Sequence, residues 1–135
     1  MKVRWTEGSV RFRITPTELA ALVQGRQVAT RLFLPGGGGW TASIVPAGRT
    51  ELRSDACELT FLMSADDVTA LADGEREGVY FQMPAPERLR FYVEKDFPCA
   101  HPHPPEVAEP ETERFAPSEA FLRRKGEAEM HEHLG

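Results

Sequence analysis

Cysteine is scarce in this chain. Cys57 and Cys99 are the only two among 135 residues, too few for a disulfide framework to stand in for a core. No apolar run approaches the ~18 residues of a membrane-spanning helix. The opening residues Met1 to Trp5 alternate instead of forming an apolar signal core. A cytoplasmic protein without a membrane partner is therefore expected. Histidine is equally sparse, and His101, His103, His131 and His133 all lie beyond residue 100. The run Gly36 to Gly39 lacks the lysine and the following helix of a phosphate loop, so it reads as a flexible hairpin tip. No nucleophile, base and orienting group form a complete set, and no catalytic residue is assigned.

What is present is enough for one small domain. Hydrophobic residues make up 41% of the chain and charged ones 27%, ordinary values for a chain that buries a core. The net charge of −5 is unevenly distributed. Residues 1–93 hold eleven acidic and eleven basic side chains, whereas residues 94–135 hold ten and five. This step divides the chain into a domain over 1–94 and an acidic, Pro/His-rich tail over 95–135.

The domain repeats itself. Shifted by 49 positions, Val10, Phe12 and Ile14 fall on Leu59, Phe61 and Met63, and Leu19, Leu22 and Gly25 fall on Val68, Leu71 and Gly74. Identities number only five of thirty-five from Val10 to Ile44. The argument rests on caps, apolar faces and breakers keeping register together. In each unit an alternating strand runs into a capped helix, Thr15-x-x-Glu18 in the first and Ser64-x-x-Asp67 in the second. Pro16 suits the first helical position and Gly25 a left-handed end. Two further strands follow, Val28–Leu34 with Trp40–Val45 and Val79–Met83 with Leu89–Val93. A leading strand stands at Lys2–Trp5 and at Glu51–Arg53.

The expected fold class is thus α+β, a duplicated β-(β-α-β-β) unit with halves at about 1–46 and 50–94. Short connections favour antiparallel neighbours, in a curved sheet or partly closed barrel with two short helices. The junction between halves is the expected ligand groove. Trp40 reads as core or edge packing, and Cys57 as an inert small hydrophobe starting a strand. In the tail, Pro117-Ser118-Glu119 can start a helix, and Phe115, Phe121 and Leu122 offer apolar surface for docking on the domain or on a partner.

Three groups of residues can bind something. Cys99, His101 and His103 alternate along extended chain and would share a face suited to Zn²⁺ or Cu; the plainer reading is an exposed Pro-rich linker. Lys95, Asp96 and Phe97 sit at the end of the last strand, where a surface pair and a hydrophobic plug are the plain alternatives to a site rim. Arg4, Arg11 and Arg13 line the face opposite Val3, Phe12 and Ile14. They fit an anion or nucleic acid, but the domain is neutral and no stacking aromatics interleave with the arginines in sequence.

Met1-Lys2-Val3-Arg4, Ser9-Val10-Arg11-Phe12-Arg13-Ile14-Thr15 and Glu94-Lys95-Asp96-Phe97-x-Cys99 resemble an uncharacterised family of small bacterial proteins. The resemblance spans about residues 1–105 and implies no activity, substrate or cofactor. It draws attention to Lys95, Asp96, Phe97 and Cys99 as matching positions. Pro102-His103 departs from the family's Pro-Arg, which counts against a shared role for His103 and against the metal reading.

The expected function is a non-enzymatic binding or interaction module, with a protein partner contacted through the tail. A metal-binding protein or small enzyme centred on Cys99 and His101 is one alternative, and an anion or nucleic-acid binder is the other. A homodimer is open if an edge strand is unpaired.

Overall fold

A computed structural model describes residues 1–97, 114–117 and 123–124. Over residues 1–97, eight strands and two α-helices follow in chain order: β1 (Lys2–Thr6), β2 (Ser9–Ile14), α1 (Pro16–Val23), β3 (Val28–Phe33), β4 (Gly39–Ala47), β5 (Glu51–Asp55), β6 (Glu58–Ser64), α2 (Ala65–Ala72), β7 (Gly78–Gln82) and β8 (Arg90–Lys95). The class is α+β, and the repeat is visible element by element: β1, β2 and α1 reappear 49 residues later as β5, β6 and α2. Both leading strands form. Cys57 is a correction: it lies before β6 in the turn from β5 and is exposed, because the hairpin reverses at Ala56 and Cys57.

Local chemistry sets the helix ends. The Thr15 hydroxyl accepts from the Glu18 N–H while the Glu18 carboxylate accepts from the Thr15 N–H, a full capping box. At the other end Gly25 has φ +80°. Its N–H reaches the Leu22 carbonyl at 3.0 Å, and the Arg26 N–H reaches Ala21 at 2.9 Å, the paired bonds of a Schellman cap. The Ser64 hydroxyl caps α2 at Asp67, but α2 ends at Asp73 without a left-handed glycine.

The strands form two separate four-stranded sheets, ordered β1-β2-β8-β7 and β3-β4-β6-β5, with no closed barrel. Each sheet takes a hairpin from each half. Each helix carries the chain from one sheet to the other, which interleaves the halves. Four pairings are antiparallel, as short connections require, and two are parallel: β2 with β8 and β4 with β6. Parallel neighbours need a long connection, and these strands lie in different halves.

The pairings obey the repeat. Phe12 faces Val93 and its counterpart Phe61 faces Ile44. The Arg90 N–H donates to the Gly8 carbonyl at 3.1 Å, and at the matching position Thr41 donates to Cys57 at 2.9 Å. Across the pseudo-twofold the Phe12 and Phe61 rings meet edge to face at 5.3 Å. Phe61 also meets Phe91 at 5.2 Å and Phe81 at 5.9 Å. Ile14, Met63, Ile44, Val93, Leu22 and Leu71 close the core around these rings.

The repeat slips at one place. In the first half Val28 faces Ile44. In the second, the counterpart of Ile44 is Val93, and it faces Val79, the counterpart of Thr30. A two-residue slip keeps every side chain on its face but slides the strand by roughly 6–7 Å. Phe81 thereby reaches Phe91 and the aromatic cluster. Its counterpart Leu32 stays at the rim against Trp40.

Phe61→Ala is expected to cost about 3–5 kcal/mol, since the ring is fully buried and touches three others. Urea unfolding followed by circular dichroism measures it. A loss below about 1 kcal/mol would mean that the two sheets are not held together through this ring.

Candidate functional site

The segment after β8 is fastened at the end of α2. Lys95 and Asp96 are only 4% and 3% exposed. The Lys95 Nζ donates to the Asp73 carbonyl at 2.6 Å and lies 5.9 Å from the Phe115 ring centre. Helix α2 has no basic residue in its last turn. Lys95 brings a cation to that carbonyl-rich end from another element. Burial pushes its pKa down, against the opposing pull of Asp73 and Glu75. The Asp96 N–H donates to Ile14 at 2.9 Å, prolonging the β2·β8 pairing, and its carbonyl accepts from Phe115 at 3.0 Å. Its carboxylate holds Lys2 at 3.2 Å. Phe97 and Phe115 pack with ring centres 6.1 Å apart. Arg124 adds a bond to the Glu75 carbonyl at 2.7 Å. The Phe115 docking expected from the tail's apolar residues is thus on Phe97 and Lys95.

Cys99, His101 and His103 lie outside the described residues, as do His131 and His133. Among the described residues no three His, Cys, Asp or Glu side chains gather as a metal site would need. No helix among them is long and apolar enough to cross a membrane.

Two surfaces stand out instead. One is the open mouth between edge strands β1 and β3, lined by Met1, Val3, Trp5, Thr30, Leu32 and Trp40. The Trp5 and Trp40 rings sit 5.8 Å apart. Trp5 is 64% exposed, Leu32 49% and Phe33 78%. Arg31 lies over the Phe33 ring at 5.3 Å. On the pseudo-symmetric side the mouth is closed: Leu52 is buried where Val3 is half-buried, and Phe81 fills the place that Leu32 leaves open.

The other surface is the outer face of the β1-β2-β8-β7 sheet. The register sets Arg4, Arg11, Tyr92 and Tyr80 in one row across all four strands, with Arg13 beside Glu94 in the next. Sequence spacing showed no aromatics among these arginines, yet Tyr92 stands next to Arg11, because the two strands pair from opposite ends of the domain. Tyr80 and Tyr92 have ring centres 5.3 Å apart, and the Tyr80 hydroxyl donates to Glu94 at 3.2 Å. Burial raises the pKa of Glu94, with Glu77 adding to it and Arg11 opposing. Burial and the Glu94 charge also push the Tyr80 phenol upward.

A family model matches residues 1–116. The chain belongs to a family of unknown function (DUF7009). This agrees with the resemblance read from the opening strands and the Glu94–Phe97 segment. Comparison with curated proteins finds no match. The family's span runs past β8 and takes in Phe115, so the residue that docks on Phe97 and Lys95 falls within it. Sequence reasoning set Lys95 and Asp96 after the last strand as a surface pair or site rim. Lys95 instead ends β8, and both are buried, held by the Asp73 carbonyl and by Lys2 and not by each other, because the pairing with β2 runs on to Ile14. It did not foresee the mouth at Trp5 and Leu32; the halves overlay without a gap, so the slip that opens the mouth shows only in the strand pairing.

Two outcomes follow from this geometry. Lys95→Met should lower stability by about 1–3 kcal/mol, because the buried charged bond to the Asp73 carbonyl is lost and that carbonyl keeps only the Arg76 N–H at 3.1 Å; an unchanged urea midpoint would remove Lys95 as a cap for α2. Glu94→Gln should raise Tm at neutral pH. A carboxyl whose folded pKa is raised costs stability once pH exceeds that pKa, and the cost disappears below its unfolded value. The advantage of the variant should therefore shrink as pH falls through the carboxylate range. Thermal melts across that range check the sign, and a gap that widens in acid would reverse it.

Proposed function

We propose that the chain is a non-enzymatic binding module that takes an extended segment of a partner protein along β3. The carrying observation is the register slip that leaves Leu32 at the rim of an edge strand, where Phe33 and, just after the strand, Leu34 are exposed as well. An edge strand presents unpaired N–H and C=O groups in a row, and an extended peptide can satisfy them as an added strand. Alternate side chains of that peptide would enter the mouth against Trp5, Trp40 and Leu32. Tryptophan is common in the anchoring pockets of interfaces. The charge on β3 is that of Arg31 alone, which favours a carboxylate in the partner. A second copy of the chain would bring Arg31 towards Arg31, so a distinct acidic and apolar segment is the better occupant.

Both tryptophans of the chain line this mouth, which makes intrinsic fluorescence a direct reporter. A capped synthetic peptide alternating valine with glutamate should give a saturable change in emission. Leu32→Ser and Phe33→Asp should each weaken it by about tenfold or more, and a valine–lysine peptide should bind less well. No saturable change, or equal binding of the two peptides, rejects the reading. Concentration-dependent dimerisation lost in Leu32→Ser would assign the mouth to a second copy instead.

A further inference from the structure

We infer that the outer face of the β1-β2-β8-β7 sheet is a second site, which binds single-stranded nucleic acid. The face carries cations that its own carboxylates do not neutralise. Lys2 is engaged with Asp96, and Arg11 lies 3.7 Å from Glu94. Arg4, Arg13 and Arg90 have no ion pair among the described residues. The Nε–H groups of Arg11 and Arg13 are buried without a hydrogen-bond partner there. Unmade donors are costly, and these two leave the guanidinium groups of Arg11 and Arg13 short of partners within the protein.

The aromatic half of the site lies beside the cationic half. Arg4, Arg11, Tyr92 and Tyr80 stand in register across four strands, a row of three strand spacings, roughly 14 Å. Tyr80 is 57% exposed. Its hydroxyl is held by Glu94, the same carboxylate that lies against Arg11. Glu94 thus orients a ring and a guanidinium as one unit. Bases stacking on tyrosines, with the backbone on adjacent arginines, is the chemistry of single-strand platforms. A duplex offers no exposed base face to these rings, and a free phosphate makes no use of them. Thr6, Ser9 and Gln82 complete the row with Arg90, the two hydroxyls bonded to each other at 2.7 Å and the Gln82 amide to the Arg88 carbonyl at 3.2 Å.

The site is independent of the β1–β3 mouth, which opens on the core side of the sheets. The test is fluorescence anisotropy of the full chain with a labelled oligouridylate, from low to physiological salt. Affinity should fall as salt rises, with the slope reduced by about 1 in Arg4→Gln. Tyr92→Ala should weaken binding roughly tenfold, while Tyr92→Phe, which keeps the ring, should bind like the parent. Arg4 is exposed, so its variant tests the site even if Tyr92→Ala fails to fold. No binding at low salt overturns the inference. Equal affinity of the Tyr92→Ala and parent proteins, or full displacement by inorganic phosphate at millimolar concentration, also overturns it by reducing the face to a general anion attractor.

Discussion

Everything else in the structure depends on the two parallel pairings, β2 on β8 and β4 on β6. They join strands that are remote in the chain and draw one hairpin of each half into each sheet. Without them the halves would be two small units, each with its apolar faces uncovered. With them, Phe12 and Phe61 come edge to face at the pseudo-twofold, and Phe91 and Phe81 complete the cluster. Interleaving also accounts for the helices, each of which crosses between sheets and needs a defined start and stop. The capping box at Thr15 and the Schellman bonds at Gly25 supply both for α1.

The same pairings place the surfaces. The face with Arg11 beside Tyr92 exists only because β2 and β8 lie together. The fastening of Lys95 to Asp73 exists because β8 ends next to α2, the helix of its own half. Asp96 then extends the pairing to Ile14 and receives Phe115, so the segment after β8 is tied to the first half through β2 and Lys2. Lys95 and Asp96 therefore act as joints between elements, whatever else the neighbouring tail does.

Symmetry and its failure divide the molecule between stability and binding. Where the repeat holds, counterparts are buried together: Ile14 with Met63, Leu22 with Leu71, Ile44 with Val93. Where it slips, by two residues in the second hairpin, one side of the sandwich closes over Phe81 and the other stays open at Trp5, Leu32 and Trp40. A slip of two is the smallest that preserves facing. It exposes apolar surface without overturning a strand, and an open apolar edge is a surface that soluble domains ordinarily cover.

Much of the fold was legible in the residues themselves. Alternation marked the strands, Thr15-x-x-Glu18 and Ser64-x-x-Asp67 marked the helix starts, and the 49-residue shift marked the duplication, because each is a short-range property of the chain. The Arg4, Arg11 and Arg13 face was legible for the same reason, since side chains alternate along a strand. The partners of those strands were not. Parallel pairing between distant strands leaves no local mark, as it is decided by which apolar faces bury best against each other once both halves are present. So Tyr92 beside Arg11, Lys95 at the end of α2, and the open mouth at Leu32 were decided by tertiary structure alone. Sequence by itself determined the elements and their faces; long-range packing determined which faces meet and which are left to bind.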